Sequence, residues 1–272
     1  MHKPLWTRCK SVTSACSTPI FLNLTMTPPF DFWNSLYQQS QQVQLEAGAL
    51  SPLQVNHDLR TNARVNCATA PWVASPAAGV RRIVLERDGG EVTTRATSLV
   101  AYQAGSHFKA HAHPKGEEIW VLSGVFSDAS GHYPAGSYLR NPPGSSHAPF
   151  SEAGCLIFVK LQQFAADDHV RLALSATPAP DTPTAATLSR RVLFERPNER
   201  VALIHCAQAG ELPADLGPRG SEILVLRGAV TGPADTYPAG TWLRCAPSLS
   251  LRHHAQAGTT IYVKSGHLGA GA

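Results

Sequence analysis

Past Val55 the hydrophobic positions come in short runs divided by polar, turn-forming residues, which reads as a series of strands and turns. Arg64-Val65-Asn66-Cys67, Val80 to Glu86 and Ser98 to Tyr102 form the first group, with Asp88-Gly89-Gly90 as a hairpin turn. Ile119 to Leu122, Gly136 to Arg140 and Leu156 to Leu161 continue it. Strands this short, at intervals of roughly 8–12 residues, predict a sandwich or barrel. One stretch differs: Asp31-Phe32-Trp33-Asn34 through Leu45 fits an amphipathic helix, with Asp31 as N-cap and Phe32, Leu36 and Val43 among its apolar residues. Such a helix would cover a barrel end or meet a dimer partner. Residues 1 to about 27 have no clear period and are rich in Ser, Thr and Pro. They read as a disordered extension, or as sequence upstream of a start at Met26.

The pattern then starts again. Glu118-Ile-Trp-Val-Leu-Ser-Gly124 returns as Glu222-Ile-Leu-Val-Leu-Arg-Gly228, and Tyr133-Pro-Ala-Gly-Ser-Tyr-Leu-Arg140 as Tyr237-Pro-Ala-Gly-Thr-Trp-Leu-Arg244. Val159-Lys160 returns as Val263-Lys264, and all three pairs share an offset of 104 residues without a gap. Val84-Leu85-Glu86-Arg87 recurs as Leu193-Phe194-Glu195-Arg196 in a shifted register. The chain is therefore an internal duplication. Between the copies, Ser175-Ala-Thr-Pro-Ala-Pro-Asp-Thr-Pro-Thr184 has little to bury and reads as a linker. The expected division is an N-terminal extension and helix over 1–50, a first barrel over 51–174, a linker over 175–188 and a second barrel over 189–272.

Composition agrees with a turn-rich β protein: 272 residues, 43% hydrophobic, with 21 glycines, 21 prolines and 7% aromatics. The formal charge of +4 is thinly spread, and no basic run interleaved with aromatics appears, which argues against nucleic acid as a partner. Six cysteines, at 9, 16, 67, 155, 206 and 245, include no C-x-x-C pair, the pattern of a reduced, cytoplasmic thiol set. No apolar run approaches the ~20 residues of a membrane helix. Lys3, Arg8 and Lys10 ahead of Pro19-Ile20-Phe21-Leu22 match a secretion signal only faintly, because the apolar part is short and broken.

Chemistry concentrates between Gly105 and His147. His111 and His113 are two residues apart and so share one side of a strand. Glu117 can return to the same point after the turn-like Pro114-Lys115-Gly116, and His147, after Asn141-Pro142-Pro143-Gly144, can arrive from a neighbouring strand. Three nitrogens and a carboxylate oxygen suit one divalent metal ion, zinc or iron(II) first, with manganese or nickel as further choices.

Gly105, five residues, His111-x-His113, three residues, Glu117, six residues, Gly124 matches the first cupin motif. Gly136, five residues, Pro142-x-Gly144, two residues, His147 matches the second, with Ser151 where the motif ends in Asn. The text around them, notably Gly116-Glu117-Glu118-Ile-Trp-Val-Leu-Ser-Gly-Val-Phe-Ser-Asp128 and Leu139-Arg-Asn-Pro-Pro-Gly-Ser-Ser-His147, resembles the cupin domain of ChrR-type anti-sigma factors. The resemblance covers residues 55–170 closely and 190–268 more weakly. It implies an all-β bicupin of two double-stranded β-helix (jelly-roll) barrels, with zinc or another divalent metal on His111, His113, Glu117 and His147. The His-x3-Cys-x2-Cys motif of the anti-sigma helical domain has no match here, so sigma binding is not carried over. The same subfamily includes small dioxygenases that cleave carbon–carbon bonds in diketones or hydroxyketones.

In the second copy the four ligand positions become Asp215, Gly217, Ser221 and Leu251, or Leu216 and Pro218 for the first two if the upstream deletion is counted. Asp215, His253 and His254 could make a different site, though solvated histidines are the simpler reading. Among other candidates, Glu118 should face away from the ligands toward a surface or interface, and His107 could line the barrel mouth. Tyr102, Tyr138 and Arg140 fall on barrel strands, and Arg140 recurs as Arg244 in the copy without ligands, which favours a folding role. Trp120 and Trp242 read as packing, and Cys155 as a buried thiol or, less simply, a redox sensor.

The sequence thus points to a small-molecule metalloenzyme, dioxygenase-like or lyase/hydrolase-like, acting on a small keto compound. The alternative is a non-catalytic metal- or oxidant-responsive binding protein. Barrel families of this kind often dimerise, which leaves a homodimer open.

Overall fold

Antiparallel strands form two barrels with the same strand order. In the first, Val80–Gly89, Thr93–Tyr102, Cys155–Leu161, Glu117–Asp128 and Tyr138–Asn141 are neighbours in that sequence. In the second, Leu188–Arg196, Glu199–Cys206, Thr259–Ser265, Ser221–Arg227 and Thr241–Cys245 repeat it. The structure is a computed structural model that describes residues 31–45, 53–90, 93–176, 187–233, 235–247 and 253–269. The expected N-terminal extension and most of the expected linker lie outside the described residues, as do Cys9, Cys16 and Leu251.

The two copies exchange strands. Ala63–Asn66, which leads into the first copy, pairs with Thr241–Cys245 of the second barrel. Leu172–Leu174, which leads into the second copy, pairs with Tyr138–Asn141 of the first. One edge of each barrel sheet is thereby covered by chain from the other copy, which removes an exposed ladder there.

The strand Glu117–Asp128 shows how alternation sorts function from architecture. Ile119 and Val121 point into the first barrel, where they join Tyr102, Leu139, Ile157 and Val159. Trp120 and Leu122 point the other way, into a core shared with Phe158, Leu224, Trp242 and Tyr262. That shared core is the seam between the barrels. Trp120 and Trp242 are packing residues as expected, but of the seam rather than of a barrel interior. The second barrel has its own interior of Ile204, Ile223, Val225, Leu243 and Ile261. At Gly124 the chain turns with φ +70°, and a side chain would collide with the carbonyl of Gly154, so only glycine fits.

The helix runs Asp31–Gln42, ending before the expected Leu45. Trp33 and Leu36 form its buried face, three residues apart. Trp33 Nε1 donates to Leu226 O at 3.1 Å, while Ser123 Oγ donates to Asn34 Oδ1 at 2.6 Å. The helix therefore bolts onto both copies across the seam. No described helix is long and apolar enough to cross a membrane.

Candidate metal centre

His111–His113 is a three-residue strand that pairs with Ser145–His147, setting His147 opposite His111 and Ser145 opposite His113. Alternation then puts all three imidazoles on one face of this ribbon. Their ring centroids lie 5.1, 5.0 and 4.6 Å apart. Beyond His113 the chain turns, with Gly116 N–H donating to His113 O at 3.3 Å, and enters the next strand at Glu117. Glu117 Oε2 lies 3.4 Å from His113 Nε2 and 3.3 Å from His147 Nε2. One ligand-capable atom from each of the four residues falls within 4.8 Å of the others, and no other such group occurs among the described residues.

The surroundings fix which nitrogen of each ring is bare. Lys109 O accepts from His111 Nδ1 at 3.0 Å, and Asp128 Oδ2 accepts from His147 Nδ1 at 3.1 Å. Ser145 Oγ spends its proton on Pro142 O at 2.6 Å, so toward His113 Nδ1, at 3.0 Å, it can only accept. Every Nδ1 therefore carries the proton, and every Nε2 presents a lone pair to the cluster. His113 Nε2 and His147 Nε2 are buried without a hydrogen-bond partner. Lone pairs and a carboxylate facing one another at this range are repulsive unless a cation or proton stands among them, and an unmatched buried acceptor costs about 1–3 kcal/mol. The donor set fits a divalent metal ion, with the Nδ1 acceptors serving as the outer partners that metal-binding histidines require.

Electrostatics point the same way. Burial, reinforced by the neighbouring rings of His147 and His111, pushes His113 down to about 3. Burial also lowers His147, against the opposing pull of Asp128. Glu117 is raised to about 7 by burial, although Asn141 Nδ2 donates to it at 3.0 Å. The protein alone disfavours charge on this cluster in either sign. A bound cation reverses that preference by stabilising neutral imidazole and ionised carboxylate together.

The cluster opens into a cavity of about 800 Å³ inside the first barrel. Val100, Tyr102, Phe108, Ile157 and Val159 give it a largely apolar wall. His107 lines it and stacks on Phe150 at 5.7 Å, in keeping with the expected place at the mouth. Tyr102 also lines it, whereas Tyr138 and Arg140 belong to the seam.

Glu118 faces the interface, as alternation requires, and meets Arg140, Lys264 and Tyr262 there. Cys155 is fully buried and burial pushes its thiol up to about 12, which leaves it no thiolate for redox sensing at neutral pH. Ser151, standing where the motif ends in Asn, donates to Val125 O at 2.6 Å. Asp215, His253 and His254 do not converge. Asp215 is held by Arg190 at 2.7 Å and Arg200 at 3.0 Å, His253 is buried beside Tyr237, and His254 is exposed. In place of the ligand-bearing ribbon the second copy has a short 3-10 helix, Ala214–Leu216, whose Leu216 packs into the barrel interior.

Spacing alone did not single out Asp128, Ser145 and Asn141 as partners of the ligands. For two of them the signal is register, Ser145 lying across from His113 and Asn141 across from Glu117; Asp128 reaches His147 only through the folded side-chain contact.

The family model of the ChrR cupin-like domain matches the chain twice, over residues 60–165 and 170–269. No curated protein matches the sequence. Similar solved structures include a candidate dioxygenase from Nostoc punctiforme, with TM-score 0.60 and 17% identity over 78% of this chain and 85% of that one. A bacterial pirin from Escherichia coli in complex with nickel(II) has TM-score 0.57 and 12% identity over 75% of this chain and 98% of that one. A candidate glyoxylate-induced protein from Pseudomonas aeruginosa has TM-score 0.58 and 12% identity over 82% and 93%. At these identities the solved structures speak for the shared fold.

Proposed function

The chain belongs to the family of ChrR cupin-like domains, here in tandem, and from that membership and the site geometry we propose a small-molecule metalloenzyme with its active centre in the first barrel. His111, His113, Glu117 and His147 hold one divalent ion, iron(II) or zinc before manganese or nickel. The observation that carries this is the common tautomer: three imidazoles, each with Nδ1–H satisfied, turn bare Nε2 atoms toward one buried carboxylate. A divalent ion there supplies Lewis acidity toward a chelating carbonyl and, as iron(II), redox chemistry with dioxygen. Glu117 supplies the compensating negative charge, fixed by Asn141. Tyr102, Phe108 and the aliphatic wall exclude water and favour an apolar substrate body. A dioxygenase-like cleavage of small diketones or hydroxyketones is the reading that best uses this combination of N3O donors and largely apolar cavity.

The test is metal analysis of the purified protein, then an oxygen-uptake screen with β-diketones and hydroxyketones after loading each metal in turn. The expected outcome is one metal per chain and turnover with a keto compound. Tightly held zinc with no turnover under any metal would overturn the enzymatic reading in favour of a non-catalytic metal-binding protein. His111→Ala/His113→Ala should lose the metal, and His253→Ala/His254→Ala should keep it.

A further inference from the structure

The strand Thr93–Tyr102 turns Ala96, Ser98, Val100 and Tyr102, every second residue, toward the cavity. Tyr102 is the last of this row and the largest. Its ring is held from two directions, by Phe108 at 5.5 Å and by Phe126 at 5.8 Å between centroids. Phe108 in turn lies 5.8 Å from the ring of His111, and Phe126 lies 6.0 Å from that of His147. By either route a single aromatic ring separates Tyr102 from the His–Glu cluster. The clamp therefore places Tyr102 at the cluster's end of the cavity.

Packing accounts for the ring and leaves the hydroxyl unexplained. Tyr102 is only 4% exposed, yet no described residue hydrogen-bonds its Oη. A buried hydroxyl without a partner costs about 1–3 kcal/mol. The fully enclosed polar atoms that lack partners include Trp120 Nε1 and Ser137 Oγ but not Tyr102 Oη, so this hydroxyl opens on the cavity that its side chain lines. Burial first, then Cys155 and Glu117, hold it well above the ordinary tyrosine range, so at neutral pH it keeps its proton and can donate it.

The second barrel shows the same row without the cluster. Its matching strand, Glu199–Cys206, sets Ala202, Ile204 and Cys206 against Val263, Ile261 and Thr259. That is the register in which Ser98, Val100 and Tyr102 meet Val159, Ile157 and Cys155. Ala202, Ile204 and Cys206 close into that barrel's apolar core. An aromatic residue kept only for packing needs no hydroxyl, as Phe108 and Phe126 beside Tyr102 illustrate. The phenol stands in the copy that has the His–Glu cluster, and a cysteine replaces it in the copy that lacks one.

We infer that the Tyr102 hydroxyl is a substrate-binding donor, which hydrogen-bonds a carbonyl or enolate oxygen of a small keto compound held at the His–Glu cluster. The inference rests on the metal-centre reading above and adds to it the protein group that recognises the keto oxygen alongside the metal ion.

The experiment uses pentane-2,4-dione with the full chain and with its Tyr102→Phe variant, which keeps the ring and removes only the oxygen. Calorimetry gives the affinity, and metal content and unfolding are measured on the same samples. Tyr102→Phe should bind the diketone about fivefold more weakly, the scale of one net hydrogen bond. Its metal content should match that of wild type. Its stability should be equal or higher, because the hydroxyl has no partner to lose in the free protein. Equal affinity in the two proteins, or failure of wild type to bind the diketone, would overturn the inference. So would a variant that is clearly less stable or does not fold, since the hydroxyl would then serve the fold. Absence of metal from wild type would instead sink the metal-centre reading. The two affinities are then compared on the metal-free proteins, where equality or lack of binding would again overturn the inference.

Discussion

Glu118 and Lys264, one from each copy, meet at 2.6 Å in the seam between the barrels, and their duplicated counterparts Glu222 and Lys160 also meet at 2.6 Å. The pairs are crossed: each lysine serves the glutamate of the other barrel. All four side chains are 2% exposed or less. Arg140 and Arg244 extend the same logic, Arg140 reaching Glu199 at 3.1 Å and Arg244 reaching Glu86 at 2.6 Å, each in the other copy. The duplication has thus kept its charged seam on both sides while the His–Glu cluster stands on one side only. The seam holds the chain as a unit, and the ligand-free barrel serves as half of that seam.

Removing one partner of a buried pair leaves an uncompensated charge, at a cost of about 3–5 kcal/mol. Lys160→Met should lower unfolding free energy on that scale, because Glu222 would keep only His267 and Trp242 as partners. Lys160→Met/Glu222→Gln should cost clearly less than the sum of the single changes. Denaturant unfolding of the three variants measures the coupling, and additivity to within about 0.5 kcal/mol would show that the crossed pair contributes no specific interaction.

The same seam sets an acid limit. Burial pushes Glu199 up, but Lys264 and Arg140 outweigh it and hold the carboxyl down at about 2. Burial is likewise outweighed at Glu118 by Lys264 and Arg140, and at Glu222 by Lys160 and His267, so both are lowered. A folded value below the unfolded one means that stability is fully present above the ordinary glutamate range, about 4.3, and is lost as pH falls through the folded values. Denaturation midpoints should therefore fall from about pH 5 downward. Replacing Glu199 by Gln should flatten part of that fall, and an unchanged profile would show that the carboxylate is not linked to folding.

Period and repetition made much of this legible. The duplication, the β class and the gathering of His111, His113, Glu117 and His147 follow from residue spacing, because residues two apart on a strand need no tertiary knowledge to share a face. Alternation likewise sent Glu118 away from Glu117 correctly. What stayed hidden depends on how strands are paired. The exchange of Ala63–Asn66 into the second barrel leaves no local mark in the sequence. The expected strand stopped at Glu86, whereas it runs on to Gly89 with a bulge before Glu86 that only the pairing reveals. The ring partners Asp128 and Ser145 are ordinary strand-end residues until the folded chain sets them against His147 and His113.

Those ring partners can be tested apart from the ligands. Asp128→Ala removes the acceptor that orients His147, and Ser145→Ala removes the one that orients His113, leaving all four ligand side chains intact. Each ring could then turn or carry its proton on the nitrogen that the metal needs. Metal affinity should fall by about 10–100-fold in each variant, as expected for outer partners of metal-binding histidines. Competition with a chelator of known affinity reads this directly. Unchanged affinity in both would show that the rings are held by packing alone.

Gly116 links the ligand cluster to the seam. Its φ is +82°, and a side chain there would overlap the ring of Phe164. The ring cannot retreat freely, since the guanidinium of Arg140 lies 4.1 Å from its centroid and Phe164 N donates to Lys115 O at 3.1 Å. Gln162 N also donates to Gly116 O at 2.9 Å, clamping the turn that leads into Glu117. Gly116→Ala should thus carry two penalties, left-handed backbone strain of about 1–3 kcal/mol and displacement of Phe164 against Arg140. Phe164→Ala in the same chain relieves the second but not the first. The expected result is lower stability and weaker metal binding for Gly116→Ala, with metal binding partly restored in the double variant while the backbone cost persists. If Gly116→Ala binds metal like wild type and loses only stability, the turn merely supports the fold, and Glu117 is placed by its strand pairings with Asn141 and Leu161.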